Sequence, residues 1–585
     1  MFTATKAAAS YDQYQAGTQA FFNLNKSLKE KALAQNDVAL IEKYKEVPDA
    51  PNAADTEGVK KYNSDQKKRE LVAKGLIRKY IEAYQSGALA KAGVTSSSGF
   101  DFYDLRGPAY LLYPVNTPKR NKIPRVGKQN AGWGNAAHWK ATRNLGSPYG
   151  GATEGNRVQT ATPDEINYLT LYKQVGVERA VTDEAQWGGE GFTDVLADEK
   201  IRSLHQIFLQ EESLIWMGNS GDTSNGLGFR LGTPAAPTLA LAAGTGLTTG
   251  QYVSVAVVAI TALGNPNNAQ YGYVPVPTVA GGLTPTYTYT SPGTNNTITV
   301  NGGTSAISPI SAVLQTTSGN NQVVATATPI KGAYSYAWFV DIEATSTGSL
   351  ANAKLAAITT LPTYTITAAP TGTQTGAATG LNVDSSFNTT DFSGLLTMNT
   401  ITTGAYFNNL QGGLLTPGKD GTVVEIETAL LYIFNNFQCG VSAIWGSADA
   451  INALRGAVLY GGSGMKSQII NLSRDQQGNM LGGNIVSGYL SPYVVGAMGG
   501  SAAIPMSIHP MLPAGTLYFD IEDNPYPQSR LDKTVAMLVR RDYNSEDWPR
   551  TTRQYTFGTY VDEVLAHYLP WIAGQITGIG GYTKN

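Results

Sequence analysis

The sequence predicts a mixed α+β protein with an all-β domain inserted into it, and three observations carry that reading. Helical and strand-like runs both occur but do not alternate regularly, which separates the chain from doubly wound α/β folds. Between Leu241 and Ile330 there is no Asp, Glu, Lys, Arg or His. Within and just beyond that stretch, alternating segments (QYVSVAVVAI, TYTYT, NQVVATAT, YSYAWFV) are separated by Gly-, Asn- and Pro-containing turns, the spacing of a β-sandwich. Finally, 585 residues are too many for one ordinary domain and suit about two to four.

Composition narrows the function classes. Charged residues make up 15% of the chain, well below the roughly 25% usual for soluble domains, while Gly (64) and Tyr (32) are abundant. Such a surface suits burial against neighbours, because interface cores are depleted of charge and enriched in aromatics. A secreted β-rich protein is the plainer alternative. A net charge of −2 argues against a dedicated nucleic-acid binder, which gathers a basic surplus on one face. The single cysteine, Cys439, permits neither an internal disulfide nor a cysteine-based zinc site, and fits a reducing cytoplasm. The start, MFTATKAAASYDQYQ, lacks a basic segment followed by an apolar run, and no stretch of about 18 apolar residues occurs, so neither a secretory signal nor a membrane span is expected.

Residues 1 to 92 read as helical and charged. One run lies around Leu28 to Tyr44. After a loop through Pro48, Pro51 and Asn52, a second from Lys60 to Gln85 places Leu71, Val72, Ile77, Tyr80, Ile81 and Tyr84 on one face. From Phe100 to Val126, Pro108, Pro114, Pro118 and Pro124 recur too often for a helix, so an extended arm is expected. Its basic cluster, Lys119, Arg120, Lys122 and Arg125, could grip phosphates or pair with carboxylates of a neighbour. Next, a Gly- and Asn-rich stretch leads into INYLTLYKQVGVERAV, whose alternation at Ile166, Tyr168, Thr170 and Tyr172 predicts a long two-stranded flap. GFTDVLADEKIRSLHQIFLQEESLIWMGN then reads as a helix of about 37 Å, with Thr193 as N-cap, Asp194 in the first turn and Gly218 as the stop. Its apolar residues are Phe192, Val195, Leu196, Leu204, Phe208 and Ile215. In the β insert, without cysteines, Trp338 is expected to anchor the core by packing alone. Beyond Leu381 follow a helix with Ile426, Leu430, Phe434 and Phe437 on one face, the strand VSAIWG, a helix from Ser447 with Ile451, Leu454 and Val458 inward, and several strands.

Signatures of chemistry are weak. His138, His205, His509 and His567 lie far apart without metal-binding spacing, and each is expected to be structural, His205 along the helix stripe. Asp520, Glu522 and Asp523 beside Asn524-Pro525 would suit a metal or a glycosidase pair, but turn residues account for them equally well. GGSGMKS (Gly461 to Ser467) misses the phosphate-loop spacing because Met465 stands before the lysine. No nucleophile elbow or dinucleotide fingerprint appears. No catalytic, cofactor-binding or metal-binding residue is assigned, and an enzyme is not expected.

The order of elements resembles the Hong Kong 97-type major capsid fold of tailed bacteriophages. YPVNTPKRNKIPRV is similar to that family's N-arm, WGNAAHWKATRNLGSPYGG through ERAVTDEA to its extended loop, and FTDVLADEKIRSLHQIFLQEESLIWMGNSGDTSNGLG to its spine helix and the loop after it. GTGLTTGQYVSVAVVAITALG and VVATATPIKGAYSYAWFV resemble an immunoglobulin- or fibronectin type III-like module. The resemblance implies an N-terminal helical, scaffold-like extension (1–99), an extended N-arm (100–127), the extended loop, peripheral domain and spine helix (128–234), the inserted immunoglobulin-like β domain (235–380), and an axial domain with the rest of the peripheral domain (381–585).

It further implies a structural major capsid protein that self-assembles into hexamers and pentamers of an icosahedral phage head enclosing double-stranded DNA. A portal protein and a scaffold or decoration protein are implied as partners, contact with the DNA as non-specific, and no membrane. The place implied is the virion, assembled in the host bacterial cytoplasm. Lys119, Arg120, Lys122 and Arg125 of the arm, and Trp133, Trp139, Lys140 and Arg143 of the loop, become candidate intersubunit contacts. Two other readings stay open: an encapsulin-type nanocompartment shell with the same fold, and a phage tail or decoration protein carrying an immunoglobulin-like module.

Overall fold

Proline sets where the chain first becomes regular. The computed structural model describes residues 115–127, 134–146, 150–189, 194–223, 227–264, 282–291, 296–345, 347–418, 422–460, 486–493, 502–526, 531–550 and 552–581. The expected N-terminal helices, Trp133 and the glycine loop 461–467 lie outside the described residues. Pro118 opens a short helix, α1 (Pro118–Lys122), at a position where its missing N–H is no loss and its fixed φ is already helical. The arm therefore holds a helical turn where its prolines were expected to forbid one. Ile123, extended ahead of Pro124, ends it.

Strand β1 (Arg125–Gly127) follows, then the antiparallel flap of β2 (Ala136–Asn144) and β3 (Asp164–Leu171), in which Trp139 stands opposite Tyr168. After β4 (Lys173–Thr182), the Thr182 hydroxyl accepts from Ala185 N–H and starts α2 (Asp183–Gly188). Helix α3 (Val195–Met217) is 23 residues, about 35 Å long. It begins later than expected: Asp194 is the N-cap, accepting from Ala197 N–H at 3.2 Å.

The chain leaves at the end of α3 and returns beside itself. Gly394 N–H donates to Gly218 O at 2.8 Å, Asn388 N–H to Asn219 O at 2.9 Å, and the Ser220 and Ser393 hydroxyls lie 2.9 Å apart. A side chain at Gly218 would press within 2.2 Å of Phe392 O, so this neck closes only on glycine. Between its two sides run β5 (Thr238–Ala242), β6 (Tyr252–Ile260), β7 (Thr286–Thr290), β8 (Thr297–Asn301), β9 (Leu314–Gln315), β10 (Gln322–Thr326), β11 (Ser335–Glu343), β12 (Lys354–Thr359) and β13 (Thr363–Ile366). Sheets β13-β10-β5 and β12-β11-β6-β9 share one apolar core that includes Val255, Val257, Val323 and Trp338, while β7–β8 form a separate ribbon. Trp338 stacks on Tyr364 of the other sheet, centroids 6.1 Å apart. Its indole N–H also donates to Thr359 Oγ1 at 2.8 Å, so hydrogen bonding joins the packing that was expected to act alone.

Where β9 ends, a serine ladder continues along the edge of β6. Ser305, Ser308 and Ser311 accept through Oγ from the N–H groups of Ala259, Val257 and Val255, each at 2.9 Å. Their own N–H groups donate back to the same residues' carbonyls at 2.8–2.9 Å. An irregular segment thus satisfies a strand edge that would otherwise offer unpaired groups.

Past the neck come α4 (Leu395–Ile401), β14 (Tyr406–Asn409), α5 (Val424–Phe437), β15 (Ala443–Gly446), α6 (Ala448–Tyr460), β16 (Gly488–Ser491), β17 (Ala502–Ile508), β18 (Leu517–Asp520), β19 (Val535–Asp547), β20 (Gln554–His567) and β21 (Gly574–Thr577). They build a six-stranded mixed sheet, β14-β21-β18-β15-β17-β16, and complete a four-stranded sheet, β1-β19-β20-β4. Ser447 Oγ accepts from Ala450 N–H at 3.3 Å, the cap expected for α6. In α5 the core face is Ile426, Ala429, Leu430 and Ile433, with Phe434 and Phe437 only half-buried. The last turn of α3, from Leu214 to Met217, lies in one core with both sheets. The class is α+β, as expected.

Candidate functional site: arm anchor and extended loop

Glu211 and Glu212, in the otherwise apolar end of α3, are fully buried. Bare carboxylates there would be prohibitively costly, and the arm supplies their partners. The N–H groups of Lys119 and Arg120, free at the start of α1, donate to Glu212 at 3.0 and 2.6 Å. His509 Nε2 donates to the same carboxylate at 2.6 Å; Met511 N–H donates to His509 Nδ1 at 3.2 Å, which assigns the tautomer.

Lys119, 2% exposed, ion-pairs with Asp520 at the end of β18, 1% exposed. Arg120 pairs with Glu211, donates to Tyr543 Oη at 2.6 Å, and lies 3.8 Å from the Phe208 ring centroid. Arg125 reaches Glu563 at 3.0 Å and Glu211 at 3.5 Å. Burial, then the neighbouring Glu211, holds the Glu563 carboxyl well above the usual carboxylate range. Lys122 meets Glu522 at 2.7 Å nearer the surface. The four arm cations are therefore engaged by carboxylates of their own chain, on α3, β18, β20 and the segment after β18. Asp520, Glu522 and Asp523 each take a lysine: Lys119, Lys122 and Lys533. Among the described residues, no group of three or more His, Cys, Asp or Glu side chains is placed to hold a metal ion.

In the flap, Trp139 is buried; its indole N–H donates to His567 O at 3.3 Å, and its ring stacks on Tyr168 at 5.5 Å. His567 is fully enclosed, and burial pushes its imidazole down to about 4, so it is neutral at physiological pH. Lys140 pairs with Glu165 across the two strands, and Arg143 lies against Gly404. His138 is exposed on the other face of β2 and His205 is half-buried, its ring 6.1 Å from that of Phe208. Beyond this anchored base, every residue from 150 to 165 is exposed, and so are Leu145 (78%) and Val158 (55%). The loop between β2 and β3 is far longer than the usual few residues of a hairpin, and residues 150–163 of it are left uncovered by the other described residues.

The neck holds a buried carboxyl. Asp391 is buried, its Oδ2 has no hydrogen-bond partner, and burial lifts its carboxyl to about 7. The unfolded chain loses that proton near pH 3.8, so between the two values the folded state holds a proton the unfolded state has released. This contribution to stability is complete below the lower value and declines by about 1.4 kcal/mol per pH unit until pH 7. Urea unfolding at pH 5 and pH 7 should show a steeper decline for the native sequence than for Asp391→Asn.

Sequence reasoning missed Glu211, Glu212, His509, Tyr543 and Glu563. The available signal was the pair of acids in FLQEESLIWM, because acids are almost never fully buried without partners.

The arm, the two-stranded loop, the 23-residue helix α3 and the four- and six-stranded sheets, interrupted by the β insert, follow one another in the order expected from the resemblance to the Hong Kong 97-type fold. No family model and no curated protein matches the sequence. Solved structures similar to the chain include one from Mycobacterium phage Adephagia (7% identity, 85% of this chain and 100% of that one, TM-score 0.32). Others are the Cyanophage A-1(L) capsid asymmetric unit (10%, 82% and 96%, TM-score 0.36) and the holo-SrpI encapsulin complex of Synechococcus elongatus PCC 7942 (9%, 83% and 99%, TM-score 0.30).

Proposed function

We propose that the protein is the structural subunit of a closed shell, built from many copies of itself and without catalytic activity. The observation that carries this reading is the contrast within one fold: the arm is locked by buried ion pairs onto the chain's own β18 and α3, while residues 150 to 165 are wholly exposed. A long uncovered loop on a rigid base is suited to lie over a neighbour, where many weak contacts sum to a strong assembly. Leu145, Val158, Lys140 and Arg143 are its contacts toward that neighbour, with the partly exposed Lys122 from the arm; Trp139 acts beneath them as the anchor. In the finer form of the proposal the copies form hexamers and pentamers of an icosahedral phage head around double-stranded DNA, with a portal protein and a scaffold or decoration protein. The insert is read as the immunoglobulin-like module of the shell's outer face. Sedimentation of the full chain over a range of salt and protein concentrations tests the shell reading: species of many subunits support it, and a monomer throughout contradicts it. Nucleic-acid content then separates a virion shell from an encapsulin-type compartment holding protein cargo.

A further inference from the structure

The buried carboxyl of the neck has a cation beside it that it does not hold. Asp391 closes a tight turn, its N–H donating to Asn388 O at 3.1 Å, and the fully buried Phe392 comes next. Its Oδ1 accepts from Thr390 Oγ1 at 3.3 Å, and its Oδ2 has no hydrogen-bond partner. An ionised carboxylate left that way inside a protein is costly unless a cation comes to it. Lys173, the first residue of β4, is half-buried nearby and donates instead to the carbonyl of Thr389, an exposed residue just before the buried acid.

Few other charges face this place. Lys173 is the cation whose charge acts on Asp391, and Asp222, in the segment after α3, acts on Lys173 in turn. Glu563, opposite Lys173 on β20, is engaged by Arg125, and Arg230 lies over the Phe387 ring, 4.3 Å from its centroid. Lys173 also stands where the extended loop closes: the N–H of Tyr172, its neighbour in the chain, donates to Asn135 O at 3.0 Å, just before β2. We propose that the neck is a proton-controlled tie between the β insert and the base of the extended loop. With Asp391 protonated, Lys173 rests on the Thr389 carbonyl; once Asp391 releases its proton to solvent, the ammonium swings inward to the carboxylate and binds β4 to the neck. Asp391 is neutral below about pH 7 and charged above it, so the tie forms on the alkaline side of neutrality. It lies within one chain and does not rest on the shell reading.

The test uses the full chain and reads Lys173 itself, by acetylation with an N-hydroxysuccinimide ester followed by peptide mass spectrometry. Measured against Lys354, an exposed lysine of β12, Lys173 should become at least about five-fold less reactive between pH 6 and pH 8.5, because an adjacent carboxylate holds the amine protonated. In Asp391→Asn, whose amide copies the shape of the neutral carboxyl, that ratio should stay level. Hydrogen exchange at pH 8.5 should be slower over residues 164–173 in the native chain than in Asp391→Asn, and the two should agree at pH 6. A native ratio that does not move with pH, or one that moves equally in Asp391→Asn, overturns the proposal. So does faster exchange confined to residues 386–394 of the native chain at pH 8.5, which would mean that the neck opens to water instead of drawing Lys173 in. The native ratio needs no variant, so it decides the matter even if Asp391→Asn fails to fold.

Discussion

Removing residues 150–160 from the loop is expected to leave a folded subunit that no longer closes into particles. All of these residues are exposed, and the last β2–β3 pair, Asn144 with Asp164, lies outside the deletion. The β2–β3 base keeps Trp139 on Tyr168 and His567. Shortening a loop changes its closure entropy only slowly with length, so stability should move by less than about 1 kcal/mol. Assembly should fall at least ten-fold, because a contact repeated in every subunit of a shell is lost from all of them. Urea unfolding and particle counts on the same preparation separate the two effects. A marked loss of stability, or particles at native yield, would show that the loop serves the fold or serves nothing in assembly.

The largest expected effect on stability is at Lys119. Lys119→Met leaves Asp520 buried with Trp445 N–H at 3.3 Å but without its cation. Breaking a buried pair from one side costs about 3–5 kcal/mol. Replacing both partners, in Lys119→Met with Asp520→Leu, should restore most of that loss, since a buried pair contributes little over well-packed apolar groups. If the double variant is as unstable as the single one, the pair has a larger role than charge compensation. If the single variant is as stable as the native chain, the arm is not anchored there.

What was legible in the sequence was local. The alternation at Ile166, Tyr168 and Thr170 became β3, the long helical run became α3, and the uncharged alternating stretch became two facing sheets, because each is written in a two- or 3.6-residue period. What was not legible depended on distant chain. Lys119 and Asp520 are 401 residues apart, and no period relates them; the basic cluster could be seen, but its partners could not. The helix in the arm was missed because repeated prolines were read as breakers, although Pro118 stands at the one helical position that favours it. The serine ladder was visible as S-x-x-S-x-x-S at Ser305, Ser308 and Ser311, yet three-residue spacing against a strand edge matches neither template.

The central claim, that this chain builds a shell from copies of itself, is tested most directly by negative-stain electron microscopy of the full chain expressed alone. Closed particles of uniform diameter, or the rings of subunits from which they assemble, are the expected result. A field of single compact molecules, unchanged by salt or concentration, would contradict it.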